Sequence, residues 1–382
     1  MNYVILLFVT SAWGSLSLGD SGWLDRFRLS VGSGARGVVG VALFPDWMSD
    51  PNIQNTRLLD LPVIPGTHHS GIINPRIRMS RVAWRWAQCQ EMNIESQLLN
   101  GVRFLDLRVR VWNNEVYLSH KFLSDTLLRD ALEVVKGFLS AHATETVLLL
   151  IRHDTAAGFT AERAIKLANV ITESEIPIYG TILGGPDKDG ALAASHRNHL
   201  GLETLLVSQL AGKALIFAEV DSFVPPPGSG IPNVRDSVIQ PATGEQIPYI
   251  PHISRSMLNY RDIWNAGSVV NAKTMIAEYV DARLGEKNRA IAMKGVALDG
   301  AAGLRGQRYN SPIMNQWFME KFNDEWASTI KDGHPLGIVM LDFITADIIK
   351  QLLSANPATT EATKVIALTD KPHNEDETHI HL

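Results

Sequence analysis

"GVRFLDLRVRV", residues 101–111, carries two opposite messages on alternate positions. Side chains alternate along a strand, so Leu105, Leu107, Val109 and Val111 share one face. Phe104, Asp106, Arg108 and Arg110 share the other. In a barrel the apolar face packs on helices and the charged face points inward or toward the mouth. Charges placed there are costly unless paired or used. One reading is a plain Asp–Arg pair that satisfies itself at a strand end. The other is a functional site, because parallel barrels collect their active sites at the C-terminal ends of the strands.

Similar apolar runs recur along the chain. Leu61–Ile64, Val102–Val111, Val116–Leu118, Val147–Ile151, Ala214–Val220, Gly295–Leu298 and Gly337–Ile344 read as strands. Helical patterns lie between several of them. "NIESQLLNG" offers Asn93 as N-cap and Gly101 as stop. "SDTLLRDALEVVKGFLSAH" starts at a Ser124 cap and sets Leu127, Leu128, Ala131, Val135, Phe138 and Leu139 on one face. Such alternation argues an α/β fold with a mainly parallel sheet, and a barrel is the largest class of that kind.

Three strand ends near this one carry titratable groups. "LPVIPGTHHSG", residues 61–71, places His68 and His69 where an apolar run stops. "EVYLSHKF" follows a turn at Asn113-Asn114 and ends in His120. "GIVMLDFI" is interrupted by Asp342. A lone strand-end histidine is more often structural than catalytic. Two of them, with Asp106 and Arg108 just upstream, reverse that preference. A carboxylate amid Met340, Leu341 and Phe343 needs a partner, and a histidine ring N–H is the usual one. The alternative for Asp342 is a helix N-cap, for which Thr345 is the better candidate.

Composition limits the function classes. A formal net charge of −5 leaves no electrostatic footprint for nucleic acid. A single cysteine, Cys89, excludes an intramolecular disulfide and a zinc site built on cysteines. Tyr3–Ala12 is an apolar block of signal-peptide length, so residues 1–19 read as a signal peptide or anchor and the protein as secreted or membrane-associated. Residues 20–58 read as an N-terminal extension, 59–355 as one large barrel domain and 356–382 as a polar tail. Within the barrel, the proline-rich residues 222–250 read as a long loop, and in the tail His373, His379 and His381 read as solvated.

"IPGTHHSG", "GVRFLDLRVR" followed by "YLSHKF", and "ETVLLLIRHD" resemble the catalytic half of the phosphatidylinositol-specific phospholipases C. The likeness is to the metal-independent bacterial enzymes and, through "RWAQCQEMNIESQLLNGVRFLDLR", to the trypanosomal phospholipase C that cleaves glycosylphosphatidylinositol anchors. It covers residues 59–153 and returns at 337–344. The resemblance implies a distorted TIM-type (β/α) barrel and an enzyme acting on inositol phospholipid, or its glycosylated form, at a membrane surface, with no metal and no cofactor. It implies that His68 is the general base and His120 the general acid. Arg108 would hold the phosphoryl oxygens, Asp342 orient His68 and Asp106 support His120. Arg152 matches a basic residue of the substrate pocket. His69 stands where the bacterial enzymes carry Asp and the trypanosomal one Asn, and is read with the substrate-binding residues. Glu219 replaces an inositol-contacting Arg and joins them. A calcium-dependent phospholipase C and a catalytically inactive barrel that binds lipid head groups are the alternatives.

Overall fold

The computed structural model describes residues 44–74, 87–154, 161–179, 202, 204–218, 253–254, 258–262, 268–285, 293–298 and 306–357. The chain enters through a 3-10 turn at Trp47–Ser49, helix α1 (Pro51–Gln54) and a second 3-10 turn at Leu58–Asp60. Strand β1 (Val63–Thr67) precedes helix α2 (Ile94–Leu99), then strands β2 (Phe104–Trp112), β3 (Glu115–His120) and β4 (Phe122–Leu127). Next come α3 (Leu128–Ala141), β5 (Thr146–His153), α4 (Ala161–Glu173), β6 (Lys213–Ala218), β7 (Ile253–Ser254) and β8 (Leu258–Asp262). The last elements are α5 (Val269–Gly285), β9 (Met293–Leu298), α6 (Gln307–Lys321), α7 (Ala327–Lys331), β10 (Gly337–Leu341) and α8 (Ala346–Leu353).

The main path of the sheet runs β7-β6-β5-β2-β1-β10-β9-β8, and every pairing along it is parallel. Among the described residues the ladder does not close between β7 and β8. This is the distorted TIM-type barrel that the alternation and the resemblance imply. Strands β3 and β4 leave the path as an antiparallel flap on β2. The turn into β3 uses Asn113 and Asn114 at positive φ, 46° and 60°. Tight hairpins favour such residues because asparagine tolerates the left-handed region.

Several boundaries differ from the sequence reading. The first strand starts later than Leu61, because the chain is still leaving the turn at Leu58–Asp60. The last strand ends at Leu341 rather than Ile344. Strand β4 was not foreseen and occupies Ser124 and Leu127, so Ser124 is not a helix cap. Its hydroxyl instead donates to the Gly71 carbonyl at 2.9 Å, and Leu127 precedes α3 without a side-chain cap. The other caps hold: Asn93 accepts from Ser96 N at 2.7 Å, and Thr345 accepts from Ile348 N at 3.3 Å. Residues 222–250 and the tail histidines lie outside the described residues.

The boundary between extension and barrel falls inside a packed segment. Phe44, Trp47, Met48 and Ile53 are buried in the core. They are clamped by Arg103, a fully buried guanidinium on the helix-facing side of the strand region. It donates to Glu145 Oε2 through Nε at 2.8 Å and Nη2 at 2.6 Å, and to the Pro45 carbonyl at 2.6 Å. Glu145 also accepts Met48 N–H at 3.0 Å. At the other end Asn356 is buried and pairs both ways with the Val63 backbone, at 3.0 and 2.9 Å. Buried packing therefore runs at least from Phe44 to Asn356. Removing one partner of such a buried pair strands the other charge. Arg103→Met is expected to cost about 3–5 kcal/mol in urea unfolding, by the usual cost of breaking a buried pair.

Candidate active site

Strand register brings the site together. Thr67 lies opposite Leu341 on one side and Leu105 on the other. The next residues are His68, Asp342 and Asp106, so a ring and two carboxylates meet at one level. His68 N–H continues the ladder by donating to the Leu341 carbonyl at 3.1 Å. On the next pair Arg108 lies opposite Arg152. The hairpin returns His120 toward the same end.

His68 is buried between two partners. Its Nδ1 is 2.9 Å from Asp342 Oδ1, and its Nε2 is 2.8 Å from Arg108 Nη2. A guanidinium only donates. Nε2 is therefore the acceptor and Nδ1 carries the proton that Asp342 receives. That tautomer leaves the basic lone pair on the edge facing Arg108.

Asp106 is fully buried and serves the cations rather than His120. Its carboxylate accepts from Arg108 Nε at 3.2 Å, Arg152 Nε at 3.4 Å and the His69 backbone N–H at 3.3 Å. It also lies 3.8 Å from His68 Nε2. Burial alone would raise its pKa, but Arg108, Arg152 and His68 outweigh that and hold it well below the usual carboxylate range. The expected support of His120 by Asp106 is thus replaced. His120 Nδ1 faces the Ala87 carbonyl at 3.0 Å and Cys89 Sγ at 3.4 Å. Burial pushes the His120 pKa down to about 3, against the Ala87 bond, with His68, Arg108 and Lys121 adding to the depression.

His69 is the third ring of the cluster. It is 1% exposed and adopts φ 45°, the left-handed region that costs a non-glycine residue energy. Its ring stacks on His120 at 3.9 Å and meets His68 edge-on at 4.3 Å. Neither ring nitrogen has a hydrogen-bond partner among the described residues. Burial, then Arg108 and the neighbouring rings, hold its pKa well below the ordinary value. Glu219 lies outside the described residues.

Other residues complete the site without a periodic cue in the sequence. Gln90 Nε2 donates to the carbonyls of His68 and Leu341, each at 2.8 Å, and pins β1 to β10 below the rings. Asn315 on α6 donates to the Asp342 carbonyl at 2.8 Å. Asp154 accepts from Ser119 Oγ at 2.8 Å and Lys121 N at 2.7 Å, which holds the turn just after His120. Asp154 closes the "ETVLLLIRHD" stretch, so a signal for it existed.

Residues 80–174 match the profile of the phosphatidylinositol-specific phospholipase C X domain. Over that stretch this chain is similar to those phospholipases. The match holds Asp106, Arg108, His120 and Arg152, while His68, His69 and Asp342 join them through the fold. Among curated proteins, PI-PLC X domain-containing protein 3 of Danio rerio is 42% identical over 136 residues, 29% of this chain and 42% of that protein. The variant-surface-glycoprotein phospholipase C of Trypanosoma brucei brucei is 35% identical over 105 residues, 25% of this chain and 28% of that protein. A 1-phosphatidylinositol phosphodiesterase of Staphylococcus aureus is 32% identical over 120 residues, 28% of this chain and 34% of that protein. The chain thus spans less than half the length of these relatives. The fold is similar to the phosphatidylinositol-specific phospholipase C of Listeria monocytogenes, with TM-score 0.58, 18% identity and 82% and 98% of the two chains covered. A mutant of the enzyme from Staphylococcus aureus gives 0.52, 18%, 82% and 97%.

Two histidines with depressed pKa values make the fold acid-sensitive. Below about 6.5 the unfolded chain binds protons at these rings that the folded chain does not, so stability falls with pH. His120 adds to this progressively toward its value of about 3. Urea midpoints measured from pH 7 to pH 4 should fall, and His69→Asn should show a shallower decline because one such ring is gone. Parallel declines in the two proteins would mean that His69 is not held neutral.

Proposed function

We propose that this chain is a lyase-type phosphodiesterase. It cleaves phosphatidylinositol, or a glycosylated form of it, to diacylglycerol and inositol 1,2-cyclic phosphate. The observation that carries the reading is His68 held between Asp342 and Arg108, with a second imidazole, His120, across the cluster.

In the substrate-free site Arg108 covers the lone pair of His68 Nε2. The phosphodiester anion draws the guanidinium onto its oxygens and releases that lone pair for the inositol 2-hydroxyl proton. The hydroxyl oxygen then attacks the adjacent phosphorus, and its tethering supplies several kcal/mol. The bond to the diacylglycerol oxygen breaks as that oxygen takes a proton from His120. His120 must be protonated for this, and in the free protein burial keeps it neutral at neutral pH. The bound phosphate supplies the negative charge that raises its pKa. His69, with two unpartnered nitrogens between the two rings, is placed to hydrogen-bond the head group or the leaving oxygen.

The Asp106 carboxylate is already neutralised by Arg108 and Arg152, which supports the metal-independent branch over a calcium site. The substrate's location and residues 1–19, which lie outside the described part, support a secreted or membrane-associated protein. No helix among the described residues is long and apolar enough to cross a membrane.

Phosphorus NMR of labelled phosphatidylinositol and a glycosylated analogue is the direct test. The first product should be a cyclic phosphodiester, and a lipid with the inositol 2-hydroxyl blocked should resist cleavage. A phosphomonoester as first product would exclude this mechanism. His68→Ala and His120→Ala should each lower turnover by about 10²–10⁴-fold or more, the scale of losing a general base or acid. In excess EDTA the rate should persist, whereas Arg108→Ala should lose roughly 10²-fold, as for one preorganised charge donor.

A further inference from the structure

The cluster contains one nucleophilic group that this reaction does not use. Cys89 is fully buried, and its Sγ lies 3.4 Å from His120 Nδ1. A ring nitrogen of His68, Cys89 Sγ and a carboxylate oxygen of Asp342 all lie within 4.8 Å of one another, and all three residues are buried. We propose that this thiol–imidazole–carboxylate cluster binds a zinc-type divalent cation, and that occupancy turns the enzyme off.

The donor set fits that ion. Zinc takes cysteine sulfur, histidine nitrogen and carboxylate oxygen at about 2.0–2.3 Å in tetrahedral geometry, so its ligand atoms stand about 3.4 Å apart. His68 Nδ1 and Asp342 Oδ1 stand 2.9 Å apart, Cys89 Sγ lies within 4.8 Å of both residues' ligand atoms and 3.4 Å from His120 Nδ1, so small shifts bring the donors to that spacing. His120 Nδ1 supplies a fourth donor once it gives up the Ala87 carbonyl. A thiolate and a carboxylate bring two negative charges to a dication, which a buried site requires. The thiol proton and the ring proton between His68 and Asp342 leave to solvent, so binding tightens as pH rises.

A second triad, His68, His69 and Asp106, also meets the distance condition. It is the poorer site. Arg108 and Arg152 already sit on Asp106 at 3.2 and 3.4 Å, and Arg108 covers the Nε2 edge of His68. A cation there would face two guanidiniums. Asp342 holds the opposite, Nδ1 edge of the same ring, and the thiol lies within 4.8 Å of that carboxylate. Hard cations such as magnesium and calcium prefer oxygen ligands and gain little from either group.

Metal binding would take from His68 the carboxylate that orients it and would draw His120 from its place. Inhibition rests on the phospholipase reading; binding does not. The experiment therefore reads both. Cobalt(II) titrated into the full chain should produce a thiolate-to-cobalt charge-transfer band that zinc displaces and that Cys89→Ser abolishes. Zinc should suppress phosphatidylinositol cleavage, a chelator should restore it, and magnesium should have no effect. Cys89→Ser should still turn over, with zinc inhibition weakened roughly 10–100-fold or more, at least the scale of losing an outer partner of a metal site. Cys89→Ala serves as the second variant if the serine protein does not fold. His69→Asn should remain zinc-sensitive. Absence of the cobalt band, or a Cys89 variant as zinc-sensitive as the parent, would overturn the proposal. A band without any lipid cleavage would leave the site standing and remove the phospholipase reading instead.

Discussion

The pairing of β1 with β10 is the constraint on which the site depends. Val63 to Thr67 run in unbroken register with Gly337 to Leu341, and the ladder extends one bond further to His68. That register makes His68 and Asp342, 274 positions apart, neighbours at 2.9 Å. Gly337 permits the start of the strand: its φ is 78°, and an added Cβ would lie 2.4 Å from the Lys294 carbonyl oxygen. A slip of one residue would turn Asp342 to the opposite face, because side chains alternate. Gln90 guards against such a slip by bonding the last carbonyl of β10 and the His68 carbonyl with one amide.

Beside that pairing, on the β2 side, the electrostatics are organised by Asp106. Asp106 gathers Arg108, Arg152 and the His69 backbone while lying fully out of solvent. Three partners more than offset the cost of burying that carboxylate, and the two guanidiniums leave the Asp106 side of the cluster positive, while Asp342 lies on the far side of His68. An anion is the complement of that positive side. Burial, with Arg108 and the neighbouring rings adding to it, holds the pKa values of His69 and His120 down. In the proposed function the substrate anion does two things at once: it occupies the guanidinium and makes His120 a better proton holder. In the proposed reaction, binding and acid catalysis are thereby coupled through charge.

The polarity of the cluster also separates its two edges. The Arg108 edge is positive and suits phosphate. The Asp342 edge carries a carboxylate and a thiol and suits a dication. His68 stands between them, which is why one ring answers to both.

How much of this was legible in the sequence depends on range. Strand alternation in "GVRFLDLRVRV" placed Asp106, Arg108 and the apolar face correctly, because a period of two is a local property of the backbone. The Asn113-Asn114 turn and the Asn93 and Thr345 caps were legible for the same reason: each is satisfied by bonds within a few residues. Ser124 was misread because its partner, the Gly71 carbonyl, lies 53 positions away. The buried Arg103–Glu145 clamp left no pattern, since its partners come from the entry segment and the start of β5. Among the site residues, the sequence by itself determined which strand ends carry titratable groups and which kinds they are. Only the tertiary structure decided that Asp106 serves Arg108 and Arg152 rather than His120, that His69 is buried against both other rings, and that Cys89 touches the cluster. Those choices are set by strand register and packing, and neither is encoded in spacing along the chain.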